Sequence, residues 1–181
     1  MPLYNIKETP KGQVFISYKM AGETLASFLD RLRLENNFAP ELPMTYAGRL
    51  DPMAEGEMIV LTGECCKEKD EYLGRDKMYE LKILLGVQTD TLDMLGLVEN
   101  IDIKNFSEQE IRSVIEKIKN IQELPYPKFS SKTVAGKSLL AFARQNIPTE
   151  TIYKQVSLSD VQIIEIKKEI PANTIGKSML F

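Results

Sequence analysis

The sequence contains no histidine, and that absence removes whole classes of chemistry. Without imidazole there is no Ser-His-Asp triad, no Cys-His dyad and no His-ligated metal site. Cysteine is nearly absent as well: the two present, Cys65 and Cys66, are adjacent. Adjacent residues offer no CxxC pair for zinc, and they bond to each other only under strain. Two reduced thiols in a cytoplasmic protein is the reading that follows. Long hydrophobic runs are missing too. They extend only a few residues, as in Met58–Leu61, so no membrane span is expected. The polar start, Met1–Gly12, carries no visible secretory signal. Any catalysis therefore rests on carboxylates, Lys, Arg, Tyr, Ser or Thr.

The 181 residues, 43% of them hydrophobic, suit one compact domain. A chain of this length buries roughly 70% of its unfolded surface and needs no disulfide or metal staple. Lys plus Arg is 23 and Asp plus Glu is 26, a formal net charge of -3. Nucleic-acid binders are usually basic. Local placement can still outweigh the sum.

Gln13–Tyr18 reads as a short strand, with Gly22 closing a turn after it. Leu25, Phe28, Leu29 and Leu32 fall on one helical face, which predicts a helix over 24–35. A polar loop, Asn36–Met44, follows, and the glycines and proline of Tyr46–Gly56 prevent one regular element there. Met58–Leu61 reads as a buried strand and Glu64–Leu73 as a charged helix. Lys77–Leu85 alternates, with Tyr79, Leu81 and Ile83 on one face, the period of a strand. Gly86–Gly96 is a polar loop, and Gly96–Val98 begins another strand. Ser107 and Glu110 form a capping box ahead of the stripe Ile111, Val114, Ile115 and Ile118. Leu124–Pro127 is loop or edge. A third helix is expected over 137–145, and Val156–Ile166 is strand-like. The irregular interleaving points to an α+β or mixed α/β fold rather than a doubly wound sheet.

Three segments carry candidate chemistry. In Gly48-Arg49-Leu50-Asp51-Pro52-Met53-Ala54-Glu55-Gly56 a carboxylate sits between Leu and Pro in a glycine-bracketed loop. Pro52 pushes Asp51 towards extended geometry, so the backbone presents the carboxylate. An Asx-type turn residue ahead of a buried strand is the bland alternative. In Arg75–Leu81, Tyr79 is either a packed core ring or a ring offered to a ligand. In Leu85–Gly96, Asp90, Asp93 and two threonines suggest a capped polar loop. The spacing lacks the twelve-residue frame and closing Glu of a calcium-binding EF-hand.

Together these segments resemble the TruB family of tRNA pseudouridine-55 synthases, with dyskerin-type enzymes as more distant members. The family motif G-[AR]-L-D-P-x-A-x-G is intact over 48–56, and L-G-x-x-T-D-T-x-D-x-x-G over 85–96. Between them lie a helix-opening Gly63 and a D-K-x-Y run from Asp76 to Tyr79. Lys19, Gly22 and Thr24 fit a K-P-x-G-x-[TS] loop with Met20 in place of the usual Pro. Pro127–Lys132, Gly136-Lys137 and Ala143-Arg144 resemble a P-x-Y-S-A-x-K…G-K…A-R stretch, with Lys132 imperfectly aligned. The resemblance covers about residues 14–169.

The resemblance implies a pseudouridine-synthase-like α+β fold: a mixed, largely antiparallel central sheet flanked by helices. It implies a single catalytic domain over 1–181, incomplete at its C-terminal end and without the family's C-terminal RNA-binding module of the PUA type. It implies isomerisation of uridine to pseudouridine in RNA, at uridine 55 of the tRNA T-loop, with no metal and no cofactor. Asp51 matches the catalytic carboxylate, which either attacks the sugar or removes a sugar proton. Tyr79 matches the ring that packs on the flipped-out base. Tyr46 stands where bacterial members commonly carry an RNA-contacting His. Gly48, Arg49, Leu50, Pro52, Lys77, Asp90 and Lys132 complete the substrate-binding set. The family Arg that pairs with the catalytic Asp has no counterpart over 170–181, and Arg49 is the nearest candidate cation in sequence. A locally basic face is expected from Lys19, Arg49, Lys77, Lys132, Lys137 and Arg144. The expected partner is RNA, a tRNA T-stem-loop, with no membrane, a cytoplasmic location and a monomeric state. A non-catalytic RNA-binding or RNA-folding module on the same scaffold is the alternative.

Overall fold

The computed structural model describes residues 4–102 and 104–167. Two compact units divide the chain, one ending at Lys82 and the other beginning at Ile83.

In the first unit, β1 (Tyr4–Thr9) and β2 (Gly12–Lys19) form an antiparallel hairpin with Thr9 opposite Gly12. Helix α1 (Leu25–Glu35) follows, capped by the Thr24 side chain, which accepts the Ser27 N–H. Next come β3 (Met44–Ala47) and β4 (Gly56–Thr62). The sheet order is β1-β2-β4-β3, antiparallel throughout, with Val14 opposite Leu61 and Ala47 opposite Ile59. Period-2 alternation sends Val14, Ala47 and Leu61 to one face, against Cys65 and Tyr72. Phe15, Met58 and Val60 go to the other, against Phe28 and Leu32 of α1. Both faces of β4 are covered, which is why Met58–Leu61 reads as an unbroken apolar run. Burying Phe28 or Leu32 contributes on the order of 2–3 kcal/mol each.

The helix expected over 64–73 divides in two: a 3₁₀ segment over Gly63–Glu68, then α2 (Lys69–Leu73). Gly63 has φ +57, and its N–H donates to the Pro43 carbonyl, while Glu64 N–H donates to Lys11. These bonds pin the tight first turn against the β1–β2 hairpin and put Cys65 in the core. The strand expected over 77–85 does not form. Among the described residues no ladder partner lies beside it, and Met78 is 99% exposed. Alternation supplies the propensity, but a strand needs a neighbour to pair with.

In the second unit, β5 (Val87–Thr89) pairs with β6 (Val98–Ile101) around a self-bonded loop. Thr89 Oγ1 donates to the Asp93 carbonyl at 2.6 Å, and Thr91 Oγ1 donates to Asp93 Oδ1 at 2.7 Å. Asp90 Oδ1 accepts from Leu97 N–H at 2.8 Å. Helix α3 (Glu108–Lys119) carries the expected capping box: Ser107 Oγ accepts from Glu110 N–H, and Glu110 Oε2 accepts from Ser107 N–H. Then follow β7 (Glu123–Pro125), β8 (Thr133–Val134), β9 (Lys137–Ser138), α4 (Leu139–Arg144) and β10 (Tyr153–Gln155). β8 pairs with β9 and β10 with β7, all antiparallel. The strand expected over 156–166 does not form. The pairing residues lie just upstream, where Lys154 faces Leu124. The architecture is α+β with antiparallel pairing, as the resemblance implies. The expectation about an Arg over 170–181 lies outside the described residues.

Candidate functional site

The edge strand β3 delivers the chain into the loop 48–55, which returns into β4. Glycines bracket the loop, Gly48 at φ +93 and Gly56 at φ +149, both positions where a Cβ would be strained. Leu50 is half-buried against the Phe15–Phe28 cluster and anchors the loop, while Asp51 is exposed. Asp51 O accepts from Ala54 N–H at 2.9 Å, closing a turn.

Lys19, the last residue of β2, lies beneath this loop and is 0% exposed. Its Nζ donates to the carbonyls of Ala54 at 2.7 Å, Asp51 at 3.1 Å and Met20 at 3.2 Å. Three carbonyls thus take the three ammonium protons. Burial lowers the Lys19 pKa, while Glu23, Asp51 and Glu55 pull it back towards the charged form. The expectation that Lys19 joins an exposed basic face is corrected: it faces inward, on the same strand face as Phe15. A Lys at an inward alternation position was the signal available in the sequence.

The loop before α1 braces the same site. Gly22 N–H donates to the Pro52 carbonyl at 2.7 Å, and Glu23 Oε2 accepts from Met20 N–H at 2.8 Å. Arg31 Nε donates to Glu23 Oε1 at 2.6 Å, and Arg31 Nη2 to the Tyr18 carbonyl at 2.9 Å. The Arg31 guanidinium and the Met20 N–H hold the Glu23 carboxyl below its ordinary value, against a burial penalty. Sequence reasoning missed this pair, because an eight-residue spacing carries no helical or strand signature.

Tyr46 is half-buried on β3 with Lys69 Nζ 5.3 Å from its ring centroid. Lys77 Nζ donates to the Leu73 and Arg75 carbonyls at 2.9 and 2.8 Å, and its Cε would lie 3.5 Å from a Cβ on Gly48. Lys77 is therefore set beside the loop with its ammonium committed to the backbone. Tyr79 is 60% exposed, so its ring is not packed in a core. Arg49 and Pro52 are exposed. The first unit thus brings Lys19, Gly22, Leu50, Asp51 and Pro52 into one braced cluster. Asp90 and Lys132 belong to the second unit, Asp90 bonded within its own loop. Among the described residues no group of three or more His, Cys, Asp or Glu is arranged to hold a metal ion. No described helix is long and apolar enough to cross a membrane.

The exposed Asp51 thus lies within G-R-L-D-P on a loop whose backbone is bonded to Lys19 and Gly22. Residues 41–177 match the TruB family pseudouridylate synthase (N terminal domain). The chain belongs to the TruB family. tRNA pseudouridine synthase 4 of Schizosaccharomyces pombe is 32% identical over 143 residues, 78% of this chain and 35% of that protein. tRNA pseudouridine synthase B of Caldicellulosiruptor saccharolyticus is 33% identical over 105 residues, 58% of this chain and 37% of the relative. The TruB relative of Wigglesworthia glossinidia brevipalpis, also named tRNA pseudouridine synthase B, is 32% identical over 132 residues, 72% of this chain and 40% of its own length. The chain therefore spans well under half the length of these TruB relatives.

Proposed function

We propose that this chain isomerises uridine to pseudouridine in RNA, at uridine 55 in the T-loop of tRNA. The observation that carries the reading is Asp51: an exposed carboxylate on a loop whose backbone is fixed by Lys19 and Gly22. The reaction breaks the C1′–N1 bond and forms a C1′–C5 bond, and the C5 proton is finally lost while N1 gains one. No electrons are exchanged with a partner. Asp51 acts at the sugar, as nucleophile on C1′ or as base on a sugar proton. The target base leaves its stack, at a cost of a few kcal/mol that stacking on a ring offsets. Tyr79 is assigned that ring, and Tyr46, Gly48, Arg49, Leu50, Pro52, Lys77, Asp90 and Lys132 the contacts to RNA. Lys19 is a positioning residue that acts through the loop backbone. A tRNA substrate entails a location where tRNA resides, the cytoplasm, and one chain carries the set as a monomer.

The test is incubation with a tRNA T-stem-loop followed by chemical mapping of pseudouridine. Product from the native chain and none from Asp51→Asn supports the reading. RNA binding without product from the native chain, under conditions where a full-length relative is active, replaces it with a non-catalytic RNA-binding module.

A further inference from the structure

Met20 stands where the K-P-x-G-x-[TS] pattern has a proline. A proline ring fixes its own φ and leaves no N–H to satisfy. Methionine does neither, and Met20 comes directly after the last ladder residue of β2, where Lys19 faces Gly56. Its side chain is 56% exposed, so packing does not hold it either. Glu23 holds it instead. The Met20 N–H donates to Glu23 Oε2 at 2.8 Å, and the Met20 carbonyl accepts the Glu23 N–H at 3.2 Å. Both backbone polar groups of Met20 are thus bonded to one residue.

Glu23 is itself anchored. Arg31 donates to both of its carboxylate oxygens, Nε to Oε1 at 2.6 Å and Nη2 to Oε2 at 3.1 Å. Such a two-pronged bond fixes the orientation of the carboxylate as well as its place. The same guanidinium donates to the Tyr18 carbonyl at 2.9 Å and to Glu35 at 3.0 Å, and lies 5.6 Å from the ring centroid of the fully buried Phe28. The carboxylate is therefore tied to α1 and to the end of β2. From Met20 the connection runs on to the loop that carries Asp51. The Met20 carbonyl also accepts from Lys19 Nζ, which bonds the Asp51 and Ala54 carbonyls. Gly22, between Met20 and Glu23, donates to the Pro52 carbonyl. The Glu23 side chain is only 17% exposed and both its oxygens are taken, so it acts through the backbone rather than on RNA.

We propose that Glu23, gripped by Arg31, is a positioning residue for Asp51: it supplies through hydrogen bonds the rigidity at position 20 that a proline ring supplies by covalent geometry. The proposal rests on the reading that Asp51 acts at the sugar, and it adds the pair that keeps that carboxylate in place. A misplacement of about 1 Å at a reacting group costs about a hundredfold in rate, so a loosened Met20 registers in turnover.

The test compares Glu23→Ala with Met20→Pro/Glu23→Ala, in turnover of a T-stem-loop RNA and in backbone amide exchange, at a temperature where circular dichroism shows both variants folded. Glu23→Ala is expected to lower kcat by about 10- to 100-fold with KM within about twofold, since the carboxylate of Asp51 works in the transition state. Met20→Pro/Glu23→Ala should recover most of the lost kcat. Lys19 is already in extended strand, as a following proline requires, and proline keeps the carbonyl that Lys19 uses. A merely structural role for Glu23 predicts no such recovery. In exchange, Glu23→Ala should speed the Gly22 and Ala54 amides by about tenfold and leave the β2–β4 ladder unchanged, and the added proline should slow them again. Native kcat in folded Glu23→Ala, or no recovery in the double variant, overturns the proposal and leaves the reading of Asp51 standing. Absence of product from the native chain overturns that reading and the proposal with it.

Discussion

The ammonium of Lys19 lies 2.7 Å from the carbonyl oxygen of Ala54, fully buried under the loop that presents Asp51. A charge in that position is held by backbone carbonyls on both sides of the loop's turn, so the loop cannot move without stranding it. Burial disfavours the charge and the carbonyl dipoles favour it. The arrangement persists because all three protons are matched.

Lys19→Met is expected to destabilise the protein by about 2–4 kcal/mol, because carbonyls lose a charged donor and the methionine returns only the apolar part. Denaturant unfolding measures this. Product formation should fall more steeply than stability accounts for, since the Asp51 backbone loses its support.

Asp51→Asn should behave oppositely. The Asp51 side chain is exposed, and it is the backbone carbonyl that takes the Lys19 bond, so stability should stay within about 0.5 kcal/mol of native. Pseudouridine formation should be abolished. Unfolding curves and product mapping on one preparation separate the two effects.

Glu23 predicts an acid-sensitive stability. Its folded pKa lies below the ordinary value of 4.5, chiefly through Arg31, so its contribution is fully present above about pH 4.5 and is lost as pH falls through the folded value. Glu23→Gln should cost about 1–3 kcal/mol at neutral pH and flatten the acid limb. Melting temperature followed from pH 7 down to pH 2 reads both. The Glu110 carboxyl is shifted the same way by the Ser107 capping bonds, so a residual slope should survive in the variant.

Gly63→Ala tests the junction of β4 with the 3₁₀ turn. A Cβ there would collide with the Lys11 carbonyl and would sit at φ +57. A loss of about 2–3 kcal/mol is expected, more than the roughly 1 kcal/mol of a left-handed alanine alone, because backbone must shift. Gly74→Ala meets open space and serves as the control.

Elements governed by local rules were legible before any coordinates. The helix expected over 24–35 and the Ser107–Glu110 box form as expected, since apolar stripes and capping boxes are short-range and travel with the sequence. The buried run Met58–Leu61 was legible for the same reason: a strand covered on both faces is apolar at every position. Lys77–Leu85 was misread because its alternation is real, yet pairing depends on a neighbour that no local pattern supplies. The same holds for Val156–Ile166, where the ladder residues fall three positions earlier.

By itself the sequence determined which groups could do chemistry here. With no histidine it left carboxylates, Lys, Arg, Tyr, Ser and Thr, and the resemblance of Gly48–Gly56 to the TruB motif is what points to Asp51. Residue types alone leave an Asx-type turn open at that position. Only the tertiary structure decided that Lys19 is a buried clamp rather than a surface cation, and that Glu23 and Arg31 brace the loop. Those relationships join residues far apart in the chain, and the field at each charge depends on what packs around it.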